Sequence, residues 1–405
     1  MGYAKDRLFQ QEEQGWDFSD GTHICWRCLT DPYLRRFVKD RVEGYECSFC
    51  RLTTRKNPST VPFDVVMELI ANAVQTHFNN AASETIGWDP EDQTYVGDTF
   101  TSSEIIRYEI PCPADRENVL EQIIDCLPDN DWCQRNFASL TREHEYTYGW
   151  EEFCKTVKNE RRYLFQQIEP GEYNEGIPVR EMLDELGMVV LKHGYLRSLP
   201  MGTSFHRIRI HKSAERYTSA PELGPPPIAN TMANRMSPAG ISLFYAGLKD
   251  RVARAETFTR GNNQCGTLSE WRATRDLLVI DFAHEPEIPN FYAAGDSWDR
   301  DELLFLLAFV YDITKPVELD GREHTEYVPT QIVTEYFRHV FRPDKGQSAV
   351  DGILYPSARC KNGTCAALFF DHNAVTEQLP FQRYNAPVVL VPESVRVVRS
   401  RARKP

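Results

Sequence analysis

Residues 205–210, with the sequence FHRIRI, give the clearest structural signal in the chain. After the leading pair, arginine and isoleucine alternate with a period of two. Successive side chains of a β-strand point to opposite faces of the sheet, so Arg207 and Arg209 share one face. The stretch therefore predicts a strand that carries two arginines on the same side.

More short apolar stretches follow this strand, and two longer helical patterns lie between them. The predicted strands are 205–210, 242–245, 277–281, 352–355, 365–370, 388–391 and 395–398, and the predicted helices are 299–313 and 329–341. Short strands with few crossover helices predict an α+β domain with a partly antiparallel sheet.

The composition of the whole chain indicates a globular protein with more than one domain. Its 405 residues are 41% hydrophobic and 26% charged, which are globular values, and the length predicts two or three domains. The net charge of −13 argues against nucleic acid as a partner, since nucleic-acid binding usually needs a basic face. No apolar stretch is long enough to span a bilayer, and the N-terminus lacks the apolar core of a signal peptide. We therefore expect a cytoplasmic protein without membrane contact.

Four of the eleven cysteines have the spacing of metal ligands. Cys25 and Cys28 form one pair, Cys47 and Cys50 form another, and eighteen residues lie between the pairs. Two such pairs complete a tetrahedral shell for Zn²⁺. Four sulfur ligands leave no open position, so we expect a structural zinc site. His23 lies beside the first pair, and we expect it to be an exposed histidine that is not a ligand.

The region between the cysteine pairs and the strand at 205–210 has helical periodicity. The predicted helices are 62–78, 114–126, 150–167 and 178–190, and the polar stretch 79–101 is predicted to be a loop. Each helix has an apolar face that must be buried against a neighbour.

Two polar side chains follow the ends of predicted elements in the C-terminal half. Residues 247–256, with the sequence GLKDRVARAE, predict a short helix that ends at Glu256. Residues 351–359, DGILYPSAR, place Ser357 after Tyr355 and Pro356, at the end of the predicted strand 352–355, where polar groups project into a site. No Gly-x-Ser-x-Gly elbow surrounds Ser357, so a serine-hydrolase nucleophile is not expected.

In this order and these settings, Arg207, Glu256 and Ser357 resemble the RES domain, which is named for its arginine, glutamate and serine. The resemblance covers about residues 201–390. It implies a fold similar to that of ADP-ribosyltransferase toxins and an enzyme that consumes NAD⁺. No phosphate loop or strand-linked Gly-x-Gly-x-x-Gly is present, so NAD⁺ would be a substrate in a non-Rossmann pocket.

The resemblance also implies roles for individual residues. Breaking the nicotinamide–ribose bond builds positive charge on the ribose, and Glu256 would stabilise that charge. Arg207 and Arg235 would bind the pyrophosphate. Tyr245 would contact nicotinamide or ribose, and Ser357 would hydrogen-bond the nicotinamide amide or the ribose.

Structural alternatives stay open for several of these residues. Glu256 could be an exposed helix carboxylate, Arg235 a surface ion-pair partner and Tyr245 a core tyrosine. Arg209 is an alternative to Arg207 for the phosphate contact, because both lie on the same face of the predicted strand. The family has an aromatic-rich pair directly before its arginine, and Phe205-His206 fits that place, which favours Arg207.

The helical region resembles the HEPN-like segment that precedes some RES domains. HEPN ribonucleases carry an arginine and a histidine a few residues apart on one helix. Here Arg142 is too close to His144, and Arg135 is too far from it. We infer no ribonuclease site and expect the helices to cover, position or regulate the C-terminal domain.

These observations predict a zinc-ribbon-like segment at 1–58, a mainly helical region at 59–200 and a RES domain at 201–405. The favoured function is cleavage of NAD⁺ by hydrolysis, phosphorolysis or ADP-ribosyl transfer, with Glu256, Arg207 and Ser357 as catalytic residues. The resemblance implies a toxin or defence effector controlled by an Xre-type antitoxin or another regulatory protein. The alternative is a zinc-ribbon binding or scaffold protein with a degenerate RES domain, such as a nucleic-acid adaptor.

Overall fold

The chain forms two compact units in a computed structural model. One unit comprises residues 1–141 and 288–301, and the other comprises residues 142–287 and 302–405. The division into 1–58, 59–200 and 201–405 stays a prediction. The model describes residues 14–19, 21–91, 93–135, 137, 139–167, 176–212, 215–258, 264–293, 297–317, 321, 323–343, 349–377 and 386–400. None of the helices in these ranges has the length and apolar character needed to cross a membrane.

Within the described ranges, the first unit consists of short strands, α-helices, two 3-10 turns (Trp26–Cys28 and Ala81–Ser83) and a π-helical turn (Ile105–Glu109). Its elements are β1 (His23–Cys25), α1 (Pro32–Lys39), β2 (Thr60–Pro62), α2 (Phe63–His77), β3 (Phe78–Asn80), β4 (Trp88–Asp89), β5 (Thr94–Tyr95), β6 (Phe100–Thr101), α3 (Ser102–Glu104), α4 (Glu117–Cys126) and β7 (Asp131–Gln134). Strand β1 pairs with β2, β4 pairs with β5, and β3, β7 and β6 form a small antiparallel sheet.

Helix α2 confirms the helix predicted at 62–78. Pro62 directly precedes its first turn, and Val66, Ile70 and Val74 form a buried stripe with a spacing of four residues. The helix predicted at 114–126 is also present as α4. The predicted loop at 79–101 is partly wrong, because β4, β5, β6 and the last two residues of β3 lie in it. Strands of two or three residues are too short to show a period of two.

The second unit contains one large sheet flanked by helices. Its elements are α5 (Arg142–Asn159), α6 (Met182–Lys192), β8 (Leu196–Leu199), β9 (Ser204–His211), α7 (Ala220–Leu223), β10 (Phe244–Gly247), α8 (Asp250–Thr257), β11 (Cys265–Ala273), β12 (Leu277–Asp281), α9 (Ser297–Thr314, in this unit from Glu302), α10 (Glu323–Glu326), α11 (Val328–His339), β13 (Gly352–Pro356), β14 (Thr364–Leu368), β15 (Val375–Glu377), β16 (Val388–Leu390) and β17 (Arg396–Arg399).

The sheet has ten strands and places β9 at its centre. The strand order is β15-β16-β11-β9-β10-β14-β13-β12-β8, and β17 also pairs with β11. The β12–β13 and β15–β16 pairs are parallel, and the other pairs are antiparallel. Mixed helices and a largely antiparallel sheet confirm the α+β class.

The core of this sheet holds β9 and β10 rigidly. Phe205, Phe244 and Trp271 are fully buried. The rings of Phe244 and Trp271 meet edge-on with their centroids 5.2 Å apart. Because β9 and β10 are anchored by these aromatic side chains, polar groups on the same strands have fixed positions.

The helices before the sheet differ from the prediction. Helix α5 begins at Arg142 and ends at Asn159, whereas the pattern predicted 150–167. Its buried face begins with Tyr146, in a stretch whose many polar residues hide the period. The helix predicted at 178–190 is present as α6, which begins later, at Met182.

Candidate active site

Arg207 projects from the central strand β9 and is held by two backbone carbonyls. Its Nε donates to the Leu223 oxygen at 3.1 Å, and its Nη1 donates to the Tyr245 oxygen at 2.6 Å. Burial, and then the neighbouring Arg209, lower the pKa of Arg207 to about 10. Among the residues that the structure describes, no carboxylate forms an ion pair with Arg207. The guanidinium is therefore a fixed cation whose charge is not compensated.

Arg209 has different surroundings, although it lies two residues further along the same strand. Its Cζ lies 5.6 Å from the ring centroid of Tyr217. Arg207 lines the cavity described below, whereas the Arg209 side chain is engaged with this tyrosine. The two arginines, of which the sequence favoured Arg207, therefore have distinct positions.

Arg235 binds the C-terminal end of helix α9. Its Nη1 donates to the Ile313 oxygen at 2.8 Å, and its Nη2 donates to the Lys315 oxygen at 2.6 Å. Its Cζ lies 5.7 Å from the ring centroid of Tyr327. The C-terminus of a helix carries partial negative charge, which stabilises a guanidinium there. Arg235 is thus fixed by backbone carbonyls, and within the described ranges it has no carboxylate partner.

Tyr245 lies in β10 and turns its hydroxyl toward Ser237. The two hydroxyl oxygens are 2.9 Å apart. Burial raises the pKa of Tyr245 to about 12, so the phenol stays neutral at physiological pH. Because its backbone oxygen also accepts from Arg207, this residue couples the strand β10 to the arginine.

Glu256 and Ser357 lie 101 residues apart in sequence, and their side chains are in direct contact. The Ser357 hydroxyl donates a short hydrogen bond to Glu256 Oε1. The Cys360 backbone N–H donates to Ser357 Oγ at 2.9 Å. The Arg359 backbone N–H lies 3.4 Å from Glu256 Oε1. The carboxylate at the end of α8 is therefore held by the turn that follows β13.

Two further titratable side chains, Cys365 and Tyr355, lie near this pair. Cys365, opposite Tyr355 in the β13–β14 hairpin, is buried. Burial and the nearby Glu256 carboxylate raise the pKa of Cys365 to about 12. Burial raises the pKa of Tyr355 well above its ordinary value. Both groups therefore remain neutral at physiological pH.

These predicted residues share one cavity. Arg207, Arg235, Tyr245 and Glu256 all line a cavity of about 480 Å³, within the size range of small-molecule sites. Ser357 reaches it through its bond to Glu256, and its chain neighbours Pro356 and Ala358 line the wall.

The cavity also includes residues that the sequence did not single out. Tyr327, Tyr355 and Arg359 line it. Arg359 lies two residues after Ser357 in a stretch already noted, but its contact with Glu256 depends on the fold. Tyr327 precedes α11 and has no local signal that would mark it.

Comparison with protein families identifies two regions of the chain. Residues 204–387 match the RES domain, and residues 40–171 match HEPN/RES N-terminal domain 1. The chain contains a RES domain. The second match confirms the HEPN-like character of the region before the RES domain. No curated protein and no solved structure matches the chain significantly.

The cysteine tetrad of this RES-domain protein has the geometry of a metal site. The sulfur atoms of Cys25, Cys28, Cys47 and Cys50 all lie within 4.8 Å of one another. The Cys25–Cys28, Cys25–Cys50 and Cys28–Cys47 separations are 3.8, 3.5 and 3.7 Å. A tetrahedron with Zn–S bonds of about 2.3 Å has sulfur–sulfur separations of about 3.8 Å. The four residues therefore fit a metal ion.

The thiols of the tetrad hydrogen-bond to one another, and these contacts lower the pKa of Cys47 and raise the pKa of Cys28. His23 lies outside the sulfur cluster, and its Nδ1 is 3.4 Å from Thr60 Oγ1.

Arg142 at the start of α5 belongs to a structural cluster. It donates to Glu145, Glu185 and the Tyr146 hydroxyl at 3.0–3.1 Å. His144 stacks on Tyr148 instead, with ring centroids 5.8 Å apart. Arg142 and His144 thus make different contacts, although they lie two residues apart on α5.

Proposed function

We propose that this RES-domain protein consumes NAD⁺ by breaking the bond between nicotinamide and ribose. One observation carries the proposal: the uncompensated cation of Arg207 and the carboxylate of Glu256 line the same cavity. NAD⁺ needs this separation of charge, because its pyrophosphate is anionic and its reacting ribose becomes cationic.

The arginines support the anionic half of the substrate. Burying a cation without a counter-charge is unfavourable, and a bound pyrophosphate would supply that charge. Arg207 uses Nε and Nη1 to hold backbone carbonyls, so its orientation is set before a ligand binds. Arg235 is fixed in the same way at the end of α9. Preorganised guanidinium groups suit phosphate oxygens.

Glu256 would stabilise the part of the substrate that becomes cationic, the ribose. The bond between ribose C1′ and the pyridinium nitrogen breaks, its electron pair stays on the nitrogen, and neutral nicotinamide leaves. The carboxylate stabilises the oxocarbenium-like ribose. An oxygen of water, phosphate or a protein side chain then bonds to C1′ and loses its proton.

Ser357 has a positioning role in this proposal. Its hydroxyl proton is directed at Glu256, and its oxygen accepts from Cys360. The serine thus orients the carboxylate, which differs from the direct contact with nicotinamide or ribose that the resemblance implied. Tyr245 offers a neutral aromatic wall to the nicotinamide or ribose.

The wider biological setting is part of the same proposal. We infer an ADP-ribosyltransferase-like fold for the C-terminal sheet, a zinc ribbon at the cysteine tetrad and a toxin or defence role in the cytoplasm. An Xre-type antitoxin or another regulatory protein would control the activity. The support is the RES match together with the charge arrangement of the cavity.

The direct test is to incubate purified full-length protein with NAD⁺, with and without phosphate. Nicotinamide and the ribose product are then quantified by chromatography. Release of nicotinamide is expected, and the ribose product identifies water, phosphate or the protein as the acceptor. Unchanged NAD⁺ in both buffers, with folded and metal-loaded protein, would contradict the proposal.

Arg207→Ala should weaken NAD⁺ binding by about 10- to 100-fold, whereas Arg209→Ala should change it little. Charge-assisted hydrogen bonds contribute about 1.5–3 kcal/mol, and only Arg207 of the two lines the cavity. Calorimetric titration of both variants measures the difference, and their melting temperatures separate binding from folding. A larger loss in the Arg209 variant would show that the wrong arginine has been assigned.

A further inference from the structure

Three cations converge on the indole ring of Trp26 in the first unit. Lys39 Nζ lies 4.1 Å from the ring centroid, and the Cζ atoms of Arg35 and Arg27 lie 5.2 and 5.3 Å from it. We call these four residues the Trp26 cluster. Arg27 and Lys39 are exposed, and Arg35 is half-buried. The cluster is therefore a concentrated positive site at the surface of the unit.

The positive charge of the Trp26 cluster is not balanced by neighbouring acids. In the part of the chain that the structure describes, none of its three cations forms an ion pair with a carboxylate. The nearby Asp40 pairs with Arg36 instead, at 3.8 Å. Arg35 and Lys39 are four residues apart on α1, a spacing at which like charges destabilise a helix. The ring face attracts these cations, but it leaves their net charge in place.

The sequence around the cluster is basic although the whole chain is acidic. Residues 21–60 contain eight arginine or lysine residues and four aspartate or glutamate residues, a net charge of +4. The whole chain has a net charge of −13, so the remainder carries −17. Even a metal–tetrathiolate centre, which adds about −2, would leave the segment positive.

We propose that the Trp26 cluster binds the phosphate backbone of a nucleic-acid strand. A strand presents closely spaced phosphates, and three cations around one ring can contact neighbouring phosphates at once. Arginine and lysine without carboxylate partners are available for these contacts. Binding of this kind is independent of base sequence and depends strongly on salt.

This proposal revises the expectation drawn from net charge alone. A total of −13 describes the average field of the chain, whereas a ligand in contact with Trp26 experiences the local charge. The proposal is also independent of the NAD⁺ reaction. The two sites use different residues, and the nucleic-acid test does not require catalysis.

The test measures binding of the full-length, metal-loaded protein to short fluorescent RNA and DNA strands of mixed sequence. Anisotropy is recorded between about 50 and 200 mM salt. We expect log K to fall with log salt with a slope of about −2 for three contacts to a single strand. The triple variant Arg27→Gln, Arg35→Gln, Lys39→Gln should bind at least about tenfold more weakly at low salt, with a slope near zero.

A matched control makes the same change in net charge elsewhere. Arg161, Lys212 and Arg216 are exposed in the second unit, and their replacement by Gln should leave binding unchanged. A charge-preserving variant, Arg27→Lys with Arg35→Lys, should retain binding if the cluster acts through its charge. The single variant Lys39→Gln, at the exposed end of α1, should make the slope of log K against log salt less steep by about 0.7.

Several results would overturn the proposal. These are no binding by wild-type protein, equal binding by the triple variant, or an equal loss in the control triple. Equal competition by polyglutamate would show an acidic-protein site instead. If the triple variant loses its metal or unfolds, the folded Lys39→Gln variant decides the question. A slope of log K against log salt equal to that of the wild type would then show that the cations have only a structural role.

Discussion

Glu256→Gln should reduce the rate of NAD⁺ consumption by about 10²–10³ while the protein stays folded. The substitution keeps the shape of the side chain and removes the negative charge that faces the ribose cation. The amide oxygen can still accept from Ser357, so the turn after β13 should keep its position. Nicotinamide release at saturating NAD⁺ measures the effect on the reaction step.

Glu335→Gln is the matched control, because Glu335 is an exposed carboxylate on the helix α11 of the same unit. It should retain wild-type turnover. NAD⁺ affinity of the Glu256 variant, measured separately, should change little if Glu256 acts mainly on the charge that develops during the reaction. Wild-type turnover in the Glu256 variant would contradict the proposed catalytic role of Glu256.

The sequence predicted which residues belong to the candidate site better than it predicted the contacts between them. Arg207 was marked by the period of β9, and Glu256 and Ser357 were marked by the ends of their elements. The sequence predicted α8 and the strands of the β13–β14 hairpin, but the convergence of the two residues depends on how these elements pack together, which no local pattern predicts. Arg235 hydrogen-bonds to Ile313 and Lys315 at the end of α9, and these partners lie 78 and 80 positions away in the sequence. A local pattern could not predict this contact either.

The sheet contains one long strand that the apolar pattern did not reveal. Strand β11 pairs with β9, β16 and β17, and yet it includes the buried polar residues Thr267 and Ser269. The Trp271 indole N–H donates to Ser269 Oγ at 2.9 Å, and His211 Nε2 lies 2.9 Å from Thr267 Oγ1. Buried polar groups with hydrogen-bond partners are tolerated in a core, but they interrupt a hydrophobic pattern.

Strand β10 shows the same limit on a smaller scale. The pattern predicted a strand at 242–245, and the structure has one at Phe244–Gly247. Ser242 is buried and its hydroxyl donates to the Pro226 oxygen at 2.7 Å, which holds this residue in the preceding loop. The pairing of Gly247 with His206 extends the strand past its apolar residues. Strand limits therefore depend on the neighbouring strand as well as on the sequence of the strand itself.

Cys47→Ser should abolish tight metal binding and unfold the segment around the cysteine tetrad. Elemental analysis of wild-type protein should give one Zn²⁺ per chain. Structural zinc contributes about 10–16 kcal/mol in small zinc-dependent peptides, so losing one of four thiolates should have a large effect. Metal content, near-ultraviolet circular dichroism and limited proteolysis of residues 21–60 measure this outcome together.

The reason for so large an effect is the way in which the tetrad closes the segment. Cys25 ends β1 and Cys28 ends the short turn after it, whereas Cys47 and Cys50 come from a turn after α1. The segment shares a buried core with α2 and α4, and a metal that cross-links the two pairs adds a direct link between the two chain regions that carry the cysteines. Cys112→Ser, at an exposed cysteine outside the tetrad, should keep both metal and fold. Freshly purified wild-type protein without metal, with all four thiols reactive, would exclude a structural metal site.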